Sequence, residues 1–147
     1  MKAKQSIAEG EALRTRIREA GLRCTAARLA VFGRLNQSIS PLSHAEIAAA
    51  LAPLGFDRAT VYRNLVELSE AGLIARVELG DHVWRFESRN GEDDHVDEHA
   101  HFVCTKCGEV SCLVGVEVNI SPAPGTKRST VGEVTEVLLK GRCNRCA

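Results

Sequence analysis

Four of the six cysteines stand in two C-x-x-C pairs, Cys104/Cys107 and Cys143/Cys146. Each pair brings two sulfurs of one tight turn to a single ion, and two such turns complete the four ligands of a tetrahedral zinc. In the first, C-T-K-C-G, Gly108 permits a backbone reversal that turns amides toward the sulfurs. A disulfide framework is one alternative, and it needs an oxidising compartment. The opening M-K-A-K-Q-S-I-A-E-G has no apolar core resembling a signal peptide, so a cytoplasmic location is expected. A thioredoxin-type redox pair is another, but neither C-x-x-C opens a helix after a buried strand. The pattern therefore points to one structural zinc held by Cys104, Cys107, Cys143 and Cys146. Just ahead of it, His99-Ala100-His101 sets two imidazoles at i and i+2. On a strand both project to one side, where they can share a second ion.

These residues need elements to position them. In residues 7–20, Ile7, Leu13, Ile17 and Ala20 recur among Glu and Arg as in an amphipathic helix, which Gly21 ends. Thr25 caps a second helix, with Ala26, Ala27, Leu29, Ala30, Val31 and Phe32 on its buried side. Ser43-x-x-Glu46 is a capping box opening a third helix that runs to Leu51. Asp57 caps a fourth, R-A-T-V-Y-R-N-L-V-E-L-S-E-A, closed by Gly72. Val61, Leu65, Leu68 and Leu73 share a face, which leaves Arg58, Thr60, Tyr62, Arg63 and Asn64 exposed at the front. Residues 74–78 and 82–86 are expected as two strands around the Gly80-Asp81 turn. Three helices and a hairpin make a winged helix-turn-helix. The exposed front of its last helix has the cations, hydroxyls and amide that hold phosphates and read base edges.

Formal charge sums to zero, but its distribution is uneven. Residues 1–86 carry twelve Lys/Arg against nine Asp/Glu, residues 87–98 one against six, and residues 99–147 six against four. The front segment is mildly basic and the acidity sits in a short stretch. Residues 88–98, S-R-N-G-E-D-D-H-V-D-E, read as a linker between a winged-helix domain at 1–87 and a metal-binding domain at 99–147. No stretch approaches the length of a membrane span, and no small-molecule substrate is implied.

R-C-T-A-A-R at 23–28, A-T-V-Y-R-N-L-V-E-L-S-E-A-G-L-I at 59–74, W-R-F-E at 84–87, H-A-H-F-V-C-T-K-C-G at 99–108 and the terminal C-x-x-C together resemble the ferric uptake regulator family. The resemblance spans most of the chain. It implies an α+β protein: an N-terminal winged helix-turn-helix followed by a small α/β or mostly β zinc-binding dimerisation domain. It also implies a homodimeric, metal-dependent repressor of operator DNA, with Tyr62 and Arg63 at the DNA and Arg23, Thr25 and Arg28 near the backbone-contacting region. Glu87, His99 and His101 match the sensor ligands, and Cys112 falls where many members have an acidic one. A thiolate there tilts the regulatory site toward Zn(2+) over Fe(2+).

The chain departs from the family in places. The position of a further sensor histidine aligns with Pro41. His44 lies inside the helix start and is expected as a surface residue, so His82 in the wing is the better substitute ligand. A second family site would fall on Ala100, Asn119 and Thr135 and is expected to be absent; His95 has no matched role. Two prolines and a glycine in N-I-S-P-A-P-G-T-K disfavour the family's helix after the first knuckle. Strands at 116–120 and 131–139 are expected instead.

Rival readings are an iron- or peroxide-sensing member of the same family, a zinc-ribbon module that binds protein rather than DNA, and a hydrolytic zinc enzyme. The basic front at Arg58 and Arg63 argues against the module. The enzyme reading needs an open metal position and a base, and no H-E-x-x-H or G-x-S-x-G motif occurs.

Overall fold

The computed structural model describes residues 2–89, 99–121, 123–125 and 133–147. The chain divides into two units, Met1–Glu92 and Asp93–Ala147. That division lies within the acidic stretch, whose residues 90–98, His95 among them, are outside the described ones. The α+β class is as expected: helices and one sheet in the first unit, and a second sheet in the other.

In the first unit, α2 (Ala26–Gln37), α3 (His44–Leu51) and α4 (Arg58–Glu70) begin at their sequence caps, whereas α1 (Lys2–Glu19) starts five residues ahead of the expected 7–20. The Thr25 hydroxyl accepts from the Arg28 amide, and Ser43 and Glu46 complete the reciprocal capping box. The Asp57 carboxylate accepts from the Thr60 amide at 2.7 Å. This bond holds its carboxyl below the usual range. Gly72 sits at φ 77, the left-handed conformation that closes α4 and reverses the chain into the sheet.

The core joins Leu13 and Ile17 of α1 to Val31, Phe32 and Leu35, Ile47 and Leu51, and Val61, Leu65 and Leu68. Each such side chain contributes roughly 1.5–3 kcal/mol by leaving water. Ile7, expected on the buried face of α1, is 68% exposed, because the core begins only at Leu13.

The wing is β2 (Ile74–Glu78) paired antiparallel with β3 (Trp84–Ser88). The first strand matches expectation, but the second lies two residues beyond 82–86. The turn takes up those residues: Glu78 accepts from the amides of Gly80 and His82, and Asp81 from that of Val83. A short strand not read from the sequence, β1 (Leu42–Ser43), pairs with Phe86 and Arg85 on the other edge of β3. It consists of two residues after Pro41, the second of them the cap of α3, too few to show any period.

In the second unit, β4 (Ala100–Cys104) is central, antiparallel to β5 (Val110–Leu113) and parallel to β6 (Leu138–Gly141). The strand expected at 116–120 is not formed. Those residues are irregular, and their alternating Val116, Val118 and Ile120 are exposed by 37% or more. Of the strand expected at 131–139, residues 131–132 lie outside the described ones, 133–137 are irregular, and β6 starts at Leu138. No helix occurs among the described residues of this unit. No helix among the described residues of the chain is long and apolar enough to cross a membrane.

Candidate metal centres and nucleic-acid interface

The four cysteines of the two C-x-x-C turns come together although Cys143 lies 36 positions after Cys107. Parallel pairing of β4 with β6 brings Cys104 opposite Gly141, and each knuckle turns at the end of its strand. The Sγ atoms of Cys104, Cys107, Cys143 and Cys146 all lie within 4.8 Å of one another. Those of Cys107 and Cys143 are 3.8 Å apart. Sulfurs at 2.3 Å from a tetrahedral zinc stand about 3.8 Å apart, so the set has the size of that ion's shell.

Backbone bonds hold the turns: the Gly108 amide donates to the Cys104 carbonyl at 2.9 Å, and the Ala147 amide to the Cys143 carbonyl at 2.8 Å. Gly108 lies at φ 73, which a side chain would strain. The Cys143 amide donates to the buried Cys104 sulfur at 3.4 Å. Amides of Cys107 and Cys143 bring the Cys104 thiol down to about 5. The thiol of Cys107 is raised by its bond to Cys104, and that of Cys146 is pushed up to about 12, chiefly by its bond to Cys143. One thiolate among crowded thiols is the arrangement a divalent cation completes. Arg145 pairs with Glu109 across the two knuckles.

A second ligand set stands on the same sheet. His101 and Cys112 are direct partners in the β4–β5 ladder, so their side chains project to one face. His99, two residues before His101, adds a third donor, and the imidazole centroids are 4.6 Å apart. One ligand atom from each of His99, His101 and Cys112 lies within 4.8 Å of the others. His101 is buried and the other two are half-buried. The cross-strand register that brings Cys112 to the histidines could not be read from its position in the chain. Two imidazoles and a thiolate suit a first-row dication such as zinc.

Glu87 and His82 belong to the first unit. Glu87 is half-buried on β3 opposite Ala75. His82 is exposed on the wing turn at φ 59, and joins no group of three ligating side chains within its unit among the described residues.

At the front of α4, Arg58, Tyr62 and Arg63 are exposed, Tyr62 by 51%. Thr60 is half-buried. Asn64 corrects the expectation of an exposed amide: it is buried, and its Nδ2 donates to the Thr60 carbonyl at 2.9 Å. One residue past the exposed Arg63, the helix has turned that position into the interior. Arg28 is also buried; its guanidinium donates to the Arg23 carbonyl at 2.7 Å and pairs with Glu67, so it ties α2 to α4. Arg23 is exposed, and Thr25 serves as the cap of α2.

His44 is half-buried with a role that its sequence position did not reveal. Its Nε2 lies 2.8 Å from the Arg58 carbonyl, and its ring packs 5.4 Å from that of Tyr62. A carbonyl only accepts, so Nε2 carries the proton. The start of α3 thereby braces the first turn of α4.

The sequence profile of the ferric uptake regulator family matches residues 19–122. Transcriptional regulator FurA of Mycobacterium tuberculosis is 32% identical over 139 residues, covering 89% of this chain and 87% of that protein. The peroxide-responsive repressor PerR of Staphylococcus epidermidis is 33% identical over 96 residues, 64% of this chain and 60% of that protein. Among solved structures, the Vibrio cholerae ferric uptake regulator aligns with a TM-score of 0.60 at 27% identity, over 86% of this chain and 96% of that one. A helix front of Arg58, Tyr62 and Arg63, a four-cysteine knuckle pair and a separate His/Cys set thus stand in a chain whose profile match runs from α1 to beyond β5, and the chain belongs to the ferric uptake regulator family.

Proposed function

We propose that this protein is a metal-responsive repressor that binds double-stranded operator DNA as a homodimer when its regulatory site is filled, and that the regulatory metal is zinc. One observation carries the reading. A second ligand set, His99, His101 and Cys112, stands apart from the four cysteines in a chain that also exposes Arg58, Tyr62 and Arg63 at a helix front. Cys104, Cys107, Cys143 and Cys146 hold a structural zinc that stabilises the second unit. Glu87, from the winged-helix unit, joins His99, His101 and Cys112 as the fourth regulatory ligand, with His82 its alternative. A divalent cation there supplies the positive charge that draws donors of both units together.

These residues act by restricting the hinge. With Glu87 held to the histidine pair, the two recognition helices of a dimer keep a fixed separation, and DNA affinity rises by the metal's differential affinity for that arrangement. Arg58, Tyr62 and Arg63 then face base edges and phosphates, Arg23 meets the backbone, and Thr60 lies at the margin. Thr25, Arg28 and Asn64 support the surface from within. The reading assigns the chain no catalytic role. The soft Cys112 donor favours zinc. An iron- or peroxide-responsive site is the second reading, favoured by the likeness to FurA and PerR.

The test is anisotropy of a labelled duplex, enriched by the protein from a random-sequence pool, with zinc or Fe(II) added to protein that retains its structural zinc. Binding that rises with zinc, and falls at least about tenfold in Arg63→Ala at unchanged metal content, is expected. Equal duplex binding with and without the second equivalent of metal would refute it.

A further inference from the structure

The wing carries a cation–aromatic pair that the recognition helix does not use. Trp84 is 49% exposed, and the Arg76 guanidinium carbon lies 4.1 Å from its ring centroid. The register explains the pair. Arg76 stands directly opposite Phe86, so Trp84, two residues earlier on β3, is its diagonal neighbour on the same sheet face. Toward the base of the wing this face buries Ile74 and Phe86 in the core; toward the tip it leaves Arg76 and Trp84 exposed.

The sheet register relates the pair to the helix front. Ser43 of β1 is opposite Arg85, and the next residue, His44, reaches the Arg58 carbonyl and the Tyr62 ring. Trp84 follows the same step outward along β3. The β1–β3 register thus relates exposed Arg58 and Tyr62, through the His44 brace, to Trp84 and Arg76 within the first unit. No carboxylate among the described ion pairs neutralises Arg76. The nearby acids are committed: Asp81 pairs with Arg85, and Glu78 accepts from two turn amides. A guanidinium held over an indole face can keep N–H donors directed away from the ring, and those donors suit a phosphate.

We propose that Arg76 and Trp84 form a second DNA contact, the guanidinium on a backbone phosphate and the indole against the adjoining sugar, flanking the contacts of α4. This rests on the reading of α4 as the recognition helix.

Trp84 is the sole tryptophan of the chain, so its emission reports on this surface alone. The probe is the pool-enriched duplex, with protein loaded with zinc. Trp84 emission is expected to change in step with duplex anisotropy. Arg76→Ala is expected to lose about tenfold in affinity and to lower the slope of log affinity against log salt by about one. Arg76→Lys should restore the slope, a recovery that a merely structural role would not produce. Parental affinity and slope in both Arg76→Ala and Arg76→Gln, while the parent binds the duplex, would overturn the wing contact and leave the proposed function standing. Failure of the parent to bind any duplex would remove both. A concentration-dependent emission shift without DNA would assign the pair to a second copy of the chain and overturn the proposal.

Discussion

Side-chain chemistry at the first metal set carries a consequence for acid and base. Among the four thiols, Cys104 is the one brought down to about 5, while Cys107 is raised and Cys146 stands near 12. At neutral pH the metal-free set therefore keeps protons on Cys107 and Cys146, and zinc must expel them to bind. Apparent zinc affinity is expected to rise at least about tenfold per unit between pH 6 and pH 8, measured by competition with a chromophoric chelator. A flat profile would mean that the thiols are already ionised. Cys143→Ser removes one ligand together with the partner that raises Cys146. It should lose tightly bound zinc by metal analysis and melt at lower temperature, because zinc binding contributes to folding free energy. Zinc content equal to the parent would count against the site.

At the scale of elements, α4 is held at its first turn. Asp57 caps its first turn, the same turn that presents Arg58 and Tyr62, and His44 braces that turn from α3. Asp57→Ala should lower the melting temperature by a few degrees near neutral pH. The sign of its pH dependence follows from the depressed carboxyl. Its stabilisation is fully present above the unfolded value near 3.9 and is lost as pH falls through the lower folded value. The gap between variant and parent is thus expected to close in strong acid. A gap that persists there would show that the loss comes from something other than the ionised cap. The Arg28–Glu67 pair, by contrast, links α2 to the last turn of α4 from within, at a guanidinium only 10% exposed.

For the whole molecule, the prediction concerns separation of the two metal sets. His101 sits on β4 opposite Cys112, while the four cysteines gather at the ends of β4 and β6. His101→Ala is expected to retain its structural zinc by metal analysis yet lose the metal-stimulated part of duplex binding. Retained stimulation would place regulation elsewhere. Cys112→Asp is the sharper variant, since a hard oxygen replaces a soft sulfur. The ratio of zinc to Fe(II) needed for half-maximal duplex binding should shift toward Fe(II). An unchanged ratio would mean that Cys112 packs against the strand and does not select the metal.

Local signals were enough for much of this architecture. Caps at Thr25, Ser43 and Asp57 and breaks at Gly21 and Gly72 bound the helices, because capping and left-handed turns are interactions between residues a few positions apart. The C-x-x-C pairs announced the first ligand set for the same reason: the chemistry is contained in each turn. Residues 116–120 and 133–137 misled because β-branched alternation favours extended backbone only where a neighbouring strand accepts its hydrogen bonds, and of the described residues in the expected 131–139 only Leu138 and Leu139 find one, beside β4. Asn64 misled because a quarter-turn of helix decides between solvent and core, and only packing against α2 and α3 sets that angle. The partnership of Cys112 with His101, the brace of His44 on Arg58, and the placing of Arg76 over Trp84 depend on register between distant segments, which tertiary pairing alone decides.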